Sequence, residues 1–153
     1  MEILDLIKNR FSPYEFTNKE IKEEDLKTLF EAAGKAASAF NEQPWRFVYA
    51  LKNDKENFER LHNCLVEGNQ GWTKDVAALA ITVVSKNYAK NGNTNTVAKH
   101  DLGLAVGNLT VQASSMGIHL HQMAGIDHQK TIELLNIPEG YEPLTAIAFG
   151  YYE

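Results

Sequence analysis

Three short clusters carry the residues best suited to hold a polar, planar or anionic ligand. The first is Arg10-Phe11-Ser12. Arg10 has a fixed charge that can fork onto a phosphate or a carbonyl edge, and Ser12 with neighbouring backbone N–H groups can complete an anion site. By itself Arg10 reads better as a surface arginine closing a helix than as part of an anion site. The second cluster runs from Ser38 to Phe47 (SAFNEQPWRF). Asn41 and Gln43 each offer one acceptor and two donors, which can read the polar edge of a planar heterocycle. Pro44 sets a turn, and Trp45 adds a large flat surface. Alone, this segment is a polar loop entering a strand. The third cluster is Gln122-Met123-Ala124-Gly125. Small residues after a strand let backbone approach a ligand closely, or simply turn the chain into its next helix.

Other chemistries find little support. There is no GxSxG, no Walker-type loop and no GxGxxG. Cys64 is the single cysteine, without an adjacent basic residue, so no internal disulfide can form and a reducing cytoplasm is the expected setting. His119 and His121 share one face of any strand that contains them. Two ligands without a nearby carboxylate are too few for a metal, so packing or hydrogen bonding is the expected role. A net charge of −5 offers no broad basic surface to nucleic acid. No apolar run approaches the ~20 residues needed to cross a bilayer, and the start, Met1-Glu2-Ile3-Leu4-Asp5-Leu6, lacks a signal peptide's basic residues.

The positioning elements follow from periodicity. The 153 residues, 44% hydrophobic and 23% charged, suit one soluble domain spanning 1–153. Ile3, Leu4, Leu6 and Ile7 predict a short amphipathic helix stopped before Pro13. Leu26, Leu29, Phe30 and Ala33 predict a helix over 25–34. Residues 46–51 read as a strand, and Phe58, Leu61, Leu65 and Val66 as a helix ending near Gly68. The run 76–84 (VAALAITVV) suits a strand buried on both faces. A polar loop over 88–96 turns at Asn91-Gly92. From 97 to 116 an apolar helical series is joined by Leu104 and Val111 on another side. That second face is covered either by another subunit or by the chain itself. After Gly117, residues 118–123 read as a strand, 127–135 as a helix capped by Asp127, and 143–151 as a final strand. Helices and strands without regular alternation predict an α+β fold.

Taken together and in order, these clusters resemble the nitroreductase family. Its opening Arg-Arg-Ser-x-Arg-x-Phe pattern is matched at Arg10, Ser12 and Phe16, and its Pro-Ser-x-x-Asn-x-Gln-Pro-Trp-x-Phe motif by Ala37 to Phe47 with only the proline changed. Asn69 stands where the family often has a flavin-contacting asparagine. Asp101-x-Gly103-x-Ala105-x-x-Asn108-Leu109 is similar to the central dimer helix, His121 to Gly125 to a flavin-capping turn of one subgroup, and Ala148 to Tyr151 to the closing strand. The resemblance spans almost the whole chain.

It implies a nitroreductase-like α+β fold: a central mixed or antiparallel sheet flanked by helices, in a homodimer with FMN at the subunit interface. The implied activity is NAD(P)H-dependent reduction of nitroaromatic, quinone or related acceptors, by ping-pong hydride transfer through the flavin. A non-catalytic flavin-binding or flavin-storing dimer is the alternative. Arg10, Ser12 and Asn69 would hold the ribityl-phosphate side from one subunit, and Ser38, Asn41 and Gln43 would reach in from the other. Backbone at Ala124 and Gly125 would face the ring, with Tyr14, Trp72 and Met123 also against the cofactor. No side chain need act as acid or base, because the chemistry is the flavin's.

The departures carry expectations of their own. Phe11 and Tyr14 replace basic residues, and Trp72 stands where some members carry a lysine near flavin N1 and O2, a loss that disfavours the anionic hydroquinone. Family members usually continue past the closing strand with a basic residue that grips the phosphate, whereas this sequence stops at Glu153. Arg10 is then expected to hold the phosphate with less help.

Overall fold

A four-stranded antiparallel sheet organises the chain, ordered β1-β2-β4-β3 in space. The computed structural model describes all residues, 1–153. The strands are β1 (Trp45–Leu51), β2 (Ala78–Ser85), β3 (His119–Met123) and β4 (Tyr141–Gly150). The helices are α1 (Asp5–Lys8), α2 (Glu23–Gly34), α3 (Lys55–His62), α4 (Glu67–Thr73), α5 (Ala98–Ser115) and α6 (His128–Leu135). The fold is α+β as expected, and of the two sheet types left open it is the antiparallel one.

The apolar run becomes β2, which is buried along both faces as its composition requires. Ala78, Ala80 and Val84 face a core built with Leu26, Leu29 and Ala33 of α2, Leu102, Ala105 and Leu109 of α5, and Ile147 and Phe149 of β4. Leu79, Ile81 and Val83 face a second core with Phe58 and Leu61 of α3, Leu65, Met123, Ala146 and Ala148. The alternation runs through all of β2, while its pairing with β4 shifts register between Thr82 and Val83, where Pro143 stands opposite Val83. A proline is tolerated there because β3 pairs only with residues 146–150 of β4.

The local signals mostly act as read. Asp127 caps α6 by accepting from the Lys130 N–H at 3.0 Å. Gly117 ends α5 at φ 69°, with the Ile118 N–H returning to the Ala113 carbonyl. Gly92 takes φ 72° in the loop turn. One expected helix was drawn wrongly: α3 stops at His62, and a separate α4 follows. The sequence of α4, EGNQGWT, has two glycines and no apolar period. Polar anchoring secures it instead, with Gln70 Nε2 donating to the Leu65 carbonyl at 3.0 Å and His62 Nε2 lying 2.8 Å from the Gln70 carbonyl oxygen. The first helix is also shorter than expected, and no residue of α1 is buried.

At the register shift, Thr82 Oγ1 lies 2.6 Å from Thr145 Oγ1 and accepts from the Thr145 N–H at 3.0 Å. Thr82→Val should leave that N–H without its acceptor and cost about 1–2 kcal/mol in urea unfolding. Thr82→Ser, which keeps the hydroxyl, should stay within about 0.5 kcal/mol of wild type on the same measurement.

Candidate functional site

The expected site residues fall into two groups, one at each edge of the sheet. Along the β3 edge, Arg10 Nη1 donates to Ser12 Oγ at 3.3 Å. Arg10 also borders a cleft of about 210 Å³ that includes Asp5, Thr110, Ser114 and His119. His119 Nδ1 is buried there with no hydrogen-bond partner. The chain continues through Pro13, whose carbonyl lies 2.8 Å from His121 Nδ1. A carbonyl only accepts, so Nδ1 carries the proton. Tyr14 then packs edge-on against Trp72 at 5.1 Å and His121 at 4.6 Å between ring centroids. Both histidines therefore serve packing, and His121 hydrogen bonding too, as their spacing on one strand face suggested.

Helix α4 brings Asn69 and Trp72 to the same edge. Asn69 Nδ2 donates to the Gly125 carbonyl at 3.1 Å, which also accepts from the Val66 N–H at 3.1 Å. A Cβ at position 125 would come within 2.6 Å of Asn69 Nδ2 and 2.8 Å of Val66 Cγ2, so any other residue there would displace both side chains. Met123 is buried at the end of β3, while Ala124 is exposed. Arg10, Ser12, Tyr14, Asn69, Trp72 and residues 123–125 thus lie along one edge of the molecule.

Ser38, Asn41 and Gln43 lie at the other edge, in the turn that leads into β1. Ser38 Oγ accepts from the Gln43 N–H at 3.0 Å, and Gln43 Nε2 donates to Asn41 Oδ1 at 3.2 Å. The turn holds left-handed backbone at Phe40, Asn41 and Gln43. Its anchor is Asp101, buried in the first turn of α5, whose Oδ2 accepts from the Ala39 N–H at 2.8 Å while His100 Nδ1 donates to Oδ1 at 2.9 Å. Three strand spacings separate β1 from β3, about 14 Å, so one chain does not bring the two groups together.

Asp101 and His121 were not singled out as site residues. A carboxylate inside an otherwise apolar helical series was the available signal for Asp101, and the His119–His121 alternation was the signal for His121. Cys64, by contrast, is fully buried, and burial pushes its thiol up, away from the thiolate a nucleophile needs.

The surface beside the first group is apolar and open. Leu6 and Ile7 of α1 line a groove with Leu104 and Val111 of α5, and Arg10 and Gln122 stand on its border. Leu104 and Val111 remain 41% and 37% exposed, so the chain does not wrap the second face of its central helix.

Comparison with known proteins places this arrangement. The model of the nitroreductase family matches residues 7–78 and 62–151. The chain belongs to the nitroreductase family. A solved structure described as an oxidoreductase containing FMN superposes with a TM-score of 0.93 at 33% identity, covering 100% of this chain and 78% of that one. The major NAD(P)H-flavin oxidoreductase of Aliivibrio fischeri is 26% identical over 95% of this chain and 85% of its own length. The FMN reductase [NAD(P)H] of Bacillus subtilis is 24% identical over 98% of this chain and 66% of its own. No helix is long and apolar enough to cross a membrane.

The Asp101 anchor yields a pH prediction. Burial raises its carboxyl, but the hydrogen bonds from His100 and the Ala39 N–H outweigh this and leave its pKa below the ordinary carboxylate value. A depressed folded pKa contributes stability that is complete above about pH 4, the unfolded value, and is lost as pH falls through the folded value. Asp101→Asn should therefore be less stable than wild type at pH 7, with faster amide exchange over residues 38–43. The gap in unfolding free energy should narrow on acidification to pH 3.

Proposed function

We propose that this nitroreductase-family chain is an FMN-dependent NAD(P)H oxidoreductase that reduces nitroaromatic, quinone or related acceptors as a cytoplasmic homodimer. Residues 1–153 act as one nitroreductase-like domain. The observation that carries the reading is the split site. Two ordered polar groups lie at opposite sheet edges, and an uncovered apolar groove of α1 and α5 adjoins one of them. A second copy packed on that groove supplies the missing half of each site.

The residues present suit FMN. Arg10 and Ser12 offer donors to a phosphate. Asn69 and the backbone at Ala124 and Gly125 form a rigid polar wall, because the Asn69–Gly125 hydrogen bond and the absent Cβ lock the turn. Tyr14 and Trp72 add apolar surface, Met123 backs the turn from the core, and Ser38, Asn41 and Gln43 of the second copy offer amide and hydroxyl groups to a heterocycle's edge. FMN, when bound, supplies the hydride chemistry between NAD(P)H and the acceptor in a ping-pong scheme. The chain's own part is to bind, orient and exclude water, which fits the absence of a catalytic motif from its sequence.

The aromatic rings of Tyr14 and Trp72, at positions where the family resemblance leads one to expect cations, favour a second reading, a flavin-binding or flavin-storing dimer without turnover. One experiment separates the two. The purified protein mixed with FMN should show flavin bands, elute as a dimer and bleach when NADH or NADPH is added anaerobically. Flavin bound but not reduced by either nucleotide supports the second reading, and a protein that takes up no flavin overturns both. Asn41→Ala should raise the FMN dissociation constant about tenfold, the equivalent of one good hydrogen bond, with an unchanged circular dichroism spectrum.

A further inference from the structure

We propose that the cavity at the N-terminus of α5 is a phosphate-monoester site that takes the 2′-phosphate of NADPH and so favours NADPH over NADH; this rests on the flavoprotein reading above. The cavity holds about 180 Å³, and its lining includes Lys86, Thr94, Asn95, Thr96, Lys99 and Glu142. Asn95 is only 4% exposed. Its Oδ1 accepts from the Val97 N–H at 3.2 Å, and its backbone N–H donates to the Lys86 carbonyl at 2.8 Å. These bonds fix the amide and leave its Nδ2 buried with no acceptor. A donor closed off from water without a partner is costly, and an oxyanion in the cavity supplies the acceptor it lacks.

The surroundings favour negative charge. The N–H groups of Thr96, Lys99 and His100 have no acceptor in the chain, and the last two open an 18-residue helix whose dipole adds positive potential. Glu142 is the one acid on the lining, and Lys99 holds it at 3.0 Å. Lys86 forms no ion pair, so the cavity keeps a positive balance. Both oxygens of Asp101 in the same helical turn are bonded elsewhere, to the Ala39 N–H and to His100. Nδ2 is covered from solvent, and turning of the exposed Thr94 and Thr96 side chains opens it to a phosphate oxygen. The position suits a nucleotide. The Ala89 N–H donates to Glu42 at 2.6 Å and Asp101 holds Ala39, so the cavity is fastened to the turn proposed to reach the other subunit's cofactor. A dinucleotide delivering hydride there carries a phosphate monoester in NADPH and none in NADH.

The test uses the FMN-loaded dimer. Calorimetry gives dissociation constants for adenosine 2′-monophosphate, adenosine and inorganic phosphate, and anaerobic stopped-flow bleaching of the flavin gives those for NADPH and NADH. Asn95→Asp keeps the oxygen that accepts from Val97 but puts an anionic oxygen in place of the free donor, and Lys86→Gln removes the cation. Wild type should bind NADPH about tenfold tighter than NADH and adenosine 2′-monophosphate about tenfold tighter than adenosine, with inorganic phosphate competing against the monophosphate. The dissociation constants of NADPH and adenosine 2′-monophosphate should rise about tenfold in Asn95→Asp and about fivefold in Lys86→Gln. NADH binding, FMN affinity and dimer elution should stay within about twofold, and Lys86→Arg should match wild type. Equal affinity for the two dinucleotides in wild type, or parallel changes for both in Lys86→Gln, overturns the proposal. Inorganic phosphate bound without discrimination between the dinucleotides overturns it too and marks a free-phosphate site. If Asn95→Asp does not fold, Lys86→Gln decides alone. All these outcomes leave flavin uptake and bleaching intact, whereas a wild type that shows neither overturns both readings.

Discussion

The double burial of β2 and its neighbour β4 is the constraint from which the rest of the architecture follows. Two adjacent strands with apolar side chains on both faces must be covered on both sides. Helices α2 and α5 cover one face and α3 the other. Only the outer strands β1 and β3 are left with free edges, and one polar group lies beside each. The buried pair thus sets the distance between the halves, which exceeds what one subunit's side chains bridge.

Helix α5 serves that arrangement in three ways. Its alanines at 98, 105 and 113 allow α2 and the sheet to approach. Asp101 at its first turn fastens the turn that precedes β1. Its outer residues Leu104 and Val111 stay exposed beside α1 and Arg10. One element therefore contributes to the core, to one polar group and to the apolar surface beside the other. A helix apolar on two sides is the sequence counterpart of this divided duty.

The site itself is rigid where it is polar. Gly125 is pressed against Asn69 and Val66, and the 38–43 turn is held by bonds from α5, β1 and the 86–96 loop. Left-handed backbone at Phe40, Asn41 and Gln43 persists because these bonds over-determine it. Such preorganisation suits a protein whose bound cofactor does the chemistry and whose side chains hold positions.

Local pattern in the sequence determined most of the elements and the family. Period-3.6 and buried-strand signals located α2, α5 and β2, Asp127 and Gly117 marked helix ends, and the ordered motifs from Arg10 to Tyr151 marked the nitroreductase resemblance. These features were legible because each depends on residues close in the chain. Helix α4 was not, since its glycine-rich segment is held by anchors to Leu65 and His62 rather than by an apolar stripe. Nor were the contacts of Asp101 with Ala39, 62 residues away, or of His121 with Pro13, 108 residues away. Only the tertiary structure decided that the polar clusters divide between two edges of one sheet. That separation depends on strand order, which arises from long-range pairing and burial that no short stretch of sequence encodes.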